Sequence, residues 1–502
     1  MALKNFIKRF RDITRNDAGV NGDAQRIEQL TWMLFLKIYD DKEKEWEFLA
    51  SSTRPYVSLI PDHCRWRNWA DTANDKTLKG DDLISFVDTV LFPTLKNLEI
   101  PRNCPKSQSV VKEVFEDIHN YMKDGVNFRQ VLCLINEMDF TDPEEVHTFG
   151  TIYETILREL QNAGKAGEFY TPRALTDFIA SHVNLKLGDT IADFACGTGG
   201  FLNSARKYLQ PQADNGTNED RQKLNHAFYG CEKKPLPHLL CVANLLLNGI
   251  EEPNIDHGNS LTRKVNDYTE KDKFDVILMN PPYGGAEKAD ILQNFPAQLR
   301  SAETADLFMI LIMARLKASG RAAVIVPDGF LFGTGNKNAI KERLLKRFNC
   351  HTIVRLPTSV FAPYTSIATN ILFFDGVKDF DKKTWATNET WFYRVDMPKG
   401  YKAFSKTKPM LLEHLEELNH WWTHRKELIV DDFPKAKCFK PEELKALDFN
   451  FDQCGYPNIE EEVLPPHELI ARYQNKRKDY ERQIDDLLAT ILKTIDENKV
   501  TK

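Results

Sequence analysis

The chain has 502 residues, which is enough for roughly two to four domains of ordinary size. Hydrophobic residues make up 42% of it and charged residues 28%, a globular composition that excludes general disorder. The 67 Lys and Arg residues against 73 Asp and Glu residues give a net charge of −6. A chain of this charge that acts on nucleic acid needs a local basic patch or a partner to neutralise the phosphates.

The spacing of the cysteines indicates whether the chain holds a metal ion, and the length of its apolar runs indicates whether it enters a membrane. The nine cysteines contain no C-x-x-C pair, which argues against a disulfide framework and a zinc site, so no metal is expected. Charges interrupt every apolar run near the N-terminus, and the longest apolar run, Leu307–Met313, is too short to span a bilayer. We therefore expect a soluble, cytoplasmic protein that contacts no membrane.

The first part of the chain, residues 1–145, is predicted to be a helical N-terminal domain. Apolar residues recur along one stripe at every third or fourth position, at Ile27, Leu30, Leu34 and Ile38. Amphipathic patterns over residues 83–95 and 110–122 predict two more helices, and strand patterns are almost absent.

Short apolar strands alternate with helices in the middle of the chain, over residues 146–400. The predicted strands cover residues 190–194, 226–232, 274–280, 321–327, 351–356 and 369–374. The predicted helices between them cover residues 201–209, 236–247 and 306–319. The polar segment 211–222 is predicted to be a surface loop. This alternation predicts an α/β fold with a doubly wound, mostly parallel, Rossmann-like sheet, which binds ligands at the carboxyl ends of its strands.

The last part, residues 401–502, is predicted to be helical again. Apolar residues near its end follow a coiled-coil-like spacing, at Tyr480, Ile484, Leu487, Leu488, Ile491 and Ile495. A helix with so short a stripe is only marginally stable in water by itself, so the stripe must be buried. It can fold back onto the middle of the chain or dock on a partner.

A glycine-rich turn follows the first predicted strand, where Asp193 precedes the sequence C-G-T-G-G at residues 196–200. Glycines let a ligand approach the backbone closely, and the start of the next helix offers N–H groups. The spacing lacks the G-x-G-x-x-G of a dinucleotide phosphate turn, and the acidic residue favours a cationic ligand. S-adenosylmethionine, with its sulfonium and amino groups, therefore fits better than NAD. Cys196 is predicted to be a packing residue rather than a nucleophile.

An acidic residue, Glu232, ends the second predicted strand. A carboxylate at this position can accept both ribose hydroxyls of an adenosine. Taken alone, the residue is equally well explained as a surface glutamate beside Lys233 and Lys234. Its interpretation as a cofactor contact therefore depends on the glycine-rich turn.

The tetrapeptide N-P-P-Y, residues 280–283, lies at the end of the third predicted strand. Its groups suit methylation of a planar amino group, whose lone pair is delocalised into a ring. The Asn280 carboxamide oxygen and a following backbone carbonyl can each accept one amino hydrogen, which aims the lone pair at the methyl group. Proline holds these acceptors in place, and Tyr283 offers a ring on which an extruded base can stack. This chemistry requires no strong general base.

The segment G-E-F-Y-T-P-R, residues 167–173, precedes the glycine-rich turn. Thr171 is predicted to cap a helix whose first residue is Pro172, because threonine is favoured at the N-cap and proline at the first helical position. By itself, this pattern indicates only a well-capped helix.

Together, the four motifs resemble those of amino-group DNA adenine methyltransferases, in which they occur in this order. The whole chain is similar to the modification subunit of a type I restriction-modification system, and residues 30–41 and the overall length also match that family. The resemblance implies an enzyme that transfers a methyl group from S-adenosylmethionine to the N6 amino group of an adenine flipped out of DNA.

The resemblance also implies roles for individual residues. The methionine part of the cofactor would be contacted by Glu168, Phe169, Tyr170, Thr171, Pro172 and Arg173. The cofactor pocket and its polar groups would be formed by Asp193, Thr198, Gly199, Gly200 and Glu232, the last of these on the ribose. The catalytic loop would consist of Asn280, Pro281, Pro282 and Tyr283. The chain departs from the family pattern at Asn259, where relatives often place Asp.

The partners implied by the resemblance are double-stranded DNA, a specificity subunit and a restriction or translocase subunit. The specificity subunit would carry target recognition and bind two modification subunits.

Two other interpretations of the function stay open. A stand-alone amino-methyltransferase acting on RNA or on protein glutamine can use N-P-P-Y too, and a non-catalytic scaffold would bind the cofactor only to stabilise a complex. A nicotinamide-dependent oxidoreductase would share the fold but need the missing phosphate turn.

Overall fold

The computed structural model describes residues 3–50, 55–73, 77–138, 170–250, 252–362, 365–378, 384–405, 407–456 and 466–500. It divides into two compact units, Met1–Gly455 and Tyr456–Lys502, and each unit is described by itself. Within the described ranges, no helix is long and apolar enough to cross a membrane.

The N-terminal part is helical as predicted, and no strand occurs among its described residues. Its helices are α1 (Leu3–Arg15), α2 (Asp23–Leu49), α3 (Trp66–Trp69), α4 (Gly80–Phe86), α5 (Phe92–Lys96), α6 (Lys106–Phe115) and α7 (Gly125–Asn136). The apolar stripe predicted on α2 is buried, and the buried ring of Trp32 on the same helix packs edge-on against Phe92 and Phe115. A π-helical turn, Val87–Leu91, joins α4 to α5, so the helix predicted over residues 83–95 is confirmed.

The helix predicted over residues 110–122 is only half right, because α6 ends at Phe115. In the segment that follows, the Tyr121 amide donates a hydrogen bond to Gln29 Oε1 of α2 at 2.9 Å. Gln29 is fully buried, so this bond fixes the segment in a non-helical path. An apolar pattern cannot reveal a competing side-chain acceptor that lies far away in the sequence.

Among the described residues of the first unit, ten strands form one sheet at its centre. Its strands are β1 (Ile191–Asp193), β2 (Phe228–Glu232), β3 (Asn254–His257), β4 (Phe274–Met279), β5 (Leu316–Pro327), β6 (Phe348–Arg355), β7 (Thr369–Gly376), β8 (Thr390–Arg394), β9 (Leu428–Val430) and β10 (Phe433–Phe439). Their order across the sheet is β3-β2-β1-β4-β5-β7-β6-β8-β10-β9. The neighbouring pairs β3-β2, β2-β1, β1-β4, β4-β5 and β6-β8 are parallel. The pairs β5-β7, β7-β6, β8-β10 and β10-β9 are antiparallel.

Helices cover both faces of this sheet. They are α8 (Arg173–His182), α9 (Gly200–Asp214), α10 (Asn218–Asn225), α11 (Pro235–Leu247), α12 (Ala289–Leu292), α13 (Thr304–Arg315), α14 (Asp328–Phe332), α15 (Asn336–Arg347), α16 (Glu416–Thr423) and α17 (Pro441–Ala446). Successive residues of β4 alternate between two separate hydrophobic cores, with Val276 and Leu278 in one and Ile277 and Met279 in the other. This arrangement confirms the predicted doubly wound α/β fold.

All six predicted strands occur, and the sheet has four more that the sequence did not predict. One helix boundary is corrected: α13 ends at Arg315, whereas the predicted helix continues to residue 319. The reason is strand pairing, because Leu316 already pairs with Phe274 of β4.

The polar segment 211–222 is mostly helical and is not the predicted loop. α9 continues through Pro211 to Asp214. α10 then begins after a capping box, in which Thr217 Oγ1 accepts from the Asp220 amide and the Asp220 carboxylate accepts from the Thr217 amide. Two reciprocal caps stabilise a short helix that carries few apolar residues.

The C-terminal region is less uniformly helical than predicted, since it also contains β9 and β10. The second unit contains one long helix, α18 (Pro466–Val500). The described side chains of its predicted apolar stripe are exposed, namely Tyr480, Ile484, Leu487 and Leu488. The side chains of Ile491 and Ile495 lie outside the described residues.

Candidate active site

Three predicted site residues lie at the carboxyl ends of neighbouring parallel strands. Asp193 is the last residue of β1, Glu232 is the last residue of β2, and Asn280 directly follows β4. The sheet order places β1 between β2 and β4. Because parallel strands end at the same edge of a sheet, the fold brings these side chains to the edge at which doubly wound sheets bind ligands.

The turn between β1 and α9 requires glycine for two reasons. Gly197 has a φ of 53° and Gly199 a φ of 78°, a left-handed conformation that strains other residues. The turn is also tightly packed. A Cβ on Gly199 would lie 2.9 Å from Cys241 Sγ of α11. A Cβ on Gly200 would lie 2.2 Å from Nη1 of the Arg173 guanidinium group.

Thr198 and Cys196 are held inside the same turn. The Thr198 carbonyl accepts a hydrogen bond from Asn244 Nδ2 of α11 at 3.0 Å, and both residues are buried. Cys196 is buried next to Cys241, and this contact together with burial raises the pKa of its thiol well above the usual value. A buried, protonated thiol is a poor nucleophile, which supports the interpretation of Cys196 as a packing residue.

Asp193 lies in an environment that disfavours a lone negative charge. Its side chain is buried, and Oδ1 accepts a hydrogen bond from the Ala195 amide at 3.1 Å. Burial raises the pKa of the Asp193 carboxyl to about 8; the Ala195 hydrogen bond opposes this shift and the charge of Glu232 adds to it. A cationic group placed beside Asp193 would therefore favour its ionised form.

Glu232 connects the end of β2 to the glycine-rich turn, and it is buried rather than a surface glutamate. Its Oε2 accepts a hydrogen bond from the Gly197 amide at 3.0 Å, and its Oε1 accepts one from the Lys234 amide at 2.8 Å. Burial raises the pKa of the Glu232 carboxyl, and these backbone amides oppose the shift. A carboxylate has about four acceptor positions, so the group can accept further hydrogen bonds from a ligand.

The Asn280 carboxamide is hydrogen-bonded at both ends. Its Nδ2 donates to Thr171 Oγ1 at 3.0 Å, and the Tyr283 hydroxyl donates to its Oδ1. The Tyr283 ring packs edge-on against Phe361, with ring centroids 6.4 Å apart and planes at 82°. The side chain that the sequence marks as catalytic is therefore held by one partner from its own loop, Tyr283, and by one from a distant segment, Thr171.

Thr171 does not cap α8, contrary to the prediction. The helix begins at Arg173, Pro172 occupies the N-cap position, and no side chain caps the helix. Thr171 lies one residue too early to cap it, and its hydroxyl accepts the hydrogen bond from Asn280 instead. The Pro172 carbonyl already accepts hydrogen bonds from the first turn of the helix.

The remaining predicted residues border the same edge. The Arg173 guanidinium lies over the Tyr170 ring, 5.1 Å from its centroid, and Tyr170 is buried. Pro281 is buried and Pro282 is exposed. Two predicted contacts lie outside the described residues, namely Glu168 and Phe169.

The loop after β3 continues this edge. The Gly258 amide donates a hydrogen bond to the Glu232 carbonyl at 2.9 Å. Asn259 Oδ1 accepts from the Leu261 amide at 3.0 Å, so the residue that departs from the family pattern stabilises its own loop. Among the described residues, no group of three or more His, Cys, Asp or Glu side chains could hold a metal ion.

Two residues that support the site were not predicted from the sequence. Asn244 is the polar exception in the apolar sequence of α11, and this exception is the signal that could have identified it. Phe361 lies in the segment between β6 and β7, more than seventy residues after Tyr283, and no local pattern predicts their contact.

Family models and related sequences agree with one another. Residues 144–463 match the N-6 DNA methylase family, and residues 3–135 match the HsdM N-terminal domain. The methylase subunit of the type I restriction enzyme EcoEI from Escherichia coli is 46% identical over 98% of this chain and 99% of its own length. The EcoKI methylase subunit from Escherichia coli K12 is 29% identical over 78% of this chain and 70% of its own length.

Solved structures show the same relationship. A chain described as a type I modification subunit from Vibrio vulnificus YJ016 has a TM-score of 0.75 and 41% identity, and the match covers 88% of this chain and 92% of that one. A chain from a study of type I restriction-modification complex assembly has a TM-score of 0.78 and 32% identity, covering 97% of both. The chain therefore belongs to the N-6 DNA methylase family, among the methylase subunits of type I restriction-modification systems.

Proposed function

We propose that the chain transfers a methyl group from S-adenosylmethionine to the N6 amino group of an adenine extruded from double-stranded DNA. The observation that carries this proposal is the position of Asn280. Its carboxamide follows β4 at the carboxyl edge of the sheet. The glycine-rich turn follows β1 and Glu232 ends β2 at the same edge. An amine acceptor thus lies on the same edge as a candidate adenosine site, which is the arrangement that methyl transfer to an amine requires.

The residues near the glycine-rich turn fit this cofactor. Asp193 is a buried carboxyl group whose ionised form a cationic amino group would stabilise. Glu232 keeps acceptor positions for ribose hydroxyls, and the left-handed φ of Gly199 turns the backbone at this edge from β1 into α9. We assign cofactor binding to Glu168, Phe169, Tyr170, Thr171, Pro172, Arg173, Asp193, Thr198, Gly199, Gly200 and Glu232.

In the proposed mechanism, the chain binds and orients the adenine. The bound cofactor supplies an electrophilic methyl group. Asn280 Oδ1 accepts one hydrogen of the amino group and the backbone carbonyl that follows accepts the other, which turns the nitrogen lone pair out of the ring. Pro281 and Pro282 limit movement of these acceptors. The Tyr283 ring, packed against Phe361, provides the surface on which the flipped base stacks.

We further propose that the chain works in a complex. Its partners would be a specificity subunit, which recognises the DNA target and binds two copies of this chain, and a restriction or translocase subunit. The net charge of −6 supports a requirement for a DNA-binding partner. The apolar stripe on α18 supports protein docking, because its described side chains are exposed.

We propose a division into three domains, which assigns methyl transfer and subunit assembly to different parts of the chain. Residues 1–145 would form the helical N-terminal domain, residues 146–400 the methyltransferase domain, and residues 401–502 the region for subunit assembly. The matched family segments 3–135 and 144–463 support the first of these boundaries.

The experiment that tests the proposal identifies the methylated product. The chain is purified alone and with its specificity subunit, and each sample is incubated with S-adenosylmethionine carrying a labelled methyl group and with DNA that contains the target site. We expect N6-methyladenine in DNA, formed only by the complex. RNA and protein glutamine serve as competing substrates. Label in either of those, or in DNA treated with the lone chain, would contradict the proposal.

A further inference from the structure

The hydrogen bond between Thr171 and Asn280 assigns Thr171 a second role. The resemblance places Thr171 among the contacts to the methionine part of the cofactor. In the structure, its Oγ1 lies 3.0 Å from Asn280 Nδ2, although 109 residues separate the two in sequence. We propose that Thr171 is a positioning residue, which holds the Asn280 carboxamide with its oxygen directed at the substrate amine. This inference rests on the proposed function.

The chemistry of the carboxamide explains why it needs this partner. Methylation requires Asn280 Oδ1 to face the amine, because only the oxygen accepts a hydrogen bond. Nδ2 must then point away from the substrate and find an acceptor of its own. Asn280 and Thr171 are both half-buried, so solvent can satisfy this donor only in part. The Thr171 hydroxyl supplies the missing acceptor.

The backbone around Thr171 fixes the position of its hydroxyl. Tyr170 and Pro172 on either side are both buried. Proline restricts the residue before it to extended conformations, so Pro172 limits the backbone of Thr171. Because α8 begins only at Arg173 and has no side-chain cap, the Thr171 hydroxyl is not needed by the helix.

Tyr283 lies at the other end of the carboxamide, and its hydroxyl donates to Asn280 Oδ1. An adenine amino group would present the same kind of donor to the same oxygen. Base entry can therefore exchange one donor for another at Oδ1 while the hydrogen bond to Thr171 stays in place. The hydrogen bond from Asn280 Nδ2 to Thr171 then stays the same while the donor to Asn280 Oδ1 changes, which is the behaviour expected of a positioning residue.

The test removes the Thr171 hydroxyl and separates chemistry from cofactor binding. In the complex with the specificity subunit, we expect Thr171→Val to lower the single-turnover rate of methyl transfer by about tenfold to a hundredfold, as other losses of a supporting contact do. The rate is measured at saturating S-adenosylmethionine, so that a loss of cofactor contact appears in the dissociation constant and not in this rate. Thr171→Ser, which keeps the hydroxyl, should restore most of the rate. Thr171→Ala is measured in parallel because it adds no branched side chain.

Two comparisons show whether Thr171 acts through Asn280. In an Asn280→Ala background, Thr171→Val should change the remaining rate by less than about twofold, because effects of coupled residues are not additive. Thr176→Val is the matched control. It removes a hydroxyl from α8 that accepts a hydrogen bond from Ser204 at 2.8 Å, and it should keep the wild-type rate.

Each outcome separates this inference from the proposed function. If Asn280→Ala keeps the wild-type rate, the proposed function itself fails. If Asn280→Ala is inactive but Thr171→Val and Thr171→Ala keep the wild-type rate, only the positioning role is overturned. A weaker cofactor affinity with an unchanged rate at saturating cofactor would also overturn it and leave Thr171 as a cofactor contact. The positioning role would also be overturned if Thr171→Val lowered the rate in the Asn280→Ala background as much as it does in the wild type.

Discussion

The charge of a single buried carboxyl group, Asp193, depends on what approaches it. Burial raises its pKa to about 8, far above the value for an exposed aspartate. A folded-state pKa above the unfolded one means that the folded chain binds more protons. The contribution of Asp193 to the unfolding free energy is therefore complete at a pH below its pKa in the unfolded chain. It is lost as the pH rises towards the folded-state pKa of about 8.

This sign leads to a prediction for Asp193→Asn, which resembles the neutral carboxyl at all pH values. Relative to the variant, the wild type should lose about 1.4 kcal/mol of unfolding free energy per pH unit between pH 5 and pH 7.5. Urea unfolding of both proteins at several pH values measures the difference, and groups that titrate equally in both cancel. A difference independent of pH would show that Asp193 is ionised in the folded chain.

Tyr283 offers a second test at the scale of one residue, because its ring and its hydroxyl can be removed separately. Tyr283→Ala should weaken capture of the flipped base by about 1–3 kcal/mol, the usual range for base stacking on an aromatic ring. Tyr283→Phe keeps the ring and its contact with Phe361, so it should capture the base like the wild type. Fluorescence of 2-aminopurine at the target position measures capture in the complex. An equal signal from wild type and Tyr283→Ala would exclude stacking.

At the scale of elements, a side chain at Gly199 in the glycine-rich turn would meet two obstacles, a left-handed backbone conformation and a close neighbouring atom. The chain provides a matched pair to separate these effects. Gly199 and Gly249 have nearly equal φ values, 78° and 79°. A Cβ on Gly199 would lie 2.9 Å from Cys241 Sγ, whereas one on Gly249 would lie 3.4 Å from the tip of Arg206.

We expect Gly249→Ala to cost about 1–2 kcal/mol of unfolding free energy, from the strained φ alone, and to keep cofactor affinity. Gly199→Ala should cost more than this and weaken S-adenosylmethionine binding at least tenfold, since the turn must move away from Cys241. Chemical unfolding and calorimetry test the two effects. Normal cofactor binding by Gly199→Ala would show that the pocket lies elsewhere.

Some elements of the fold are predictable from the sequence and others are not, and the difference has physical reasons. Strand β4 was predictable because parallel strands buried on both faces are continuous apolar runs, as Val276 to Met279 show. Strand β3, N-I-D-H, carries three polar residues and gave no such signal. The position of Asp193, Glu232 and Asn280 at the ends of predicted strands predicted that these residues share the carboxyl edge of the sheet. The contacts from Thr171 and Phe361 to residues 280–283 depend on tertiary packing, which spacing alone does not encode.

For the whole molecule, we expect the apolar stripe on α18 to be the surface that docks on the specificity subunit. Its described side chains are between 52% and 63% exposed, at Tyr480, Ile484, Leu487 and Leu488. We expect Ile484→Glu with Leu487→Glu to abolish co-purification with the specificity subunit. Because both side chains are exposed, the thermal midpoint and cofactor affinity of the lone chain should stay unchanged.

The control for this prediction is Arg482→Glu, which changes a charge on the opposite face of the same helix. It should co-purify normally. Deletion from residue 476 onward should behave like the double substitution. A lone chain that unfolds at lower temperature after the double substitution would indicate that the stripe packs within its own chain, and assembly that survives the substitution would exclude α18 as the docking element.

The central claim is that the Asn280 carboxamide acts on the amine and not on the cofactor. Its direct test is Asn280→Ala in the assembled complex, with the single-turnover rate of methyl transfer and the calorimetric affinity for S-adenosylmethionine measured on the same preparation. Asn388→Ala is the control, because this exposed asparagine precedes β8 at the opposite edge of the sheet. We predict a rate about a hundredfold to a thousandfold lower for Asn280→Ala, with unchanged cofactor affinity. A rate within tenfold of wild type would contradict the account.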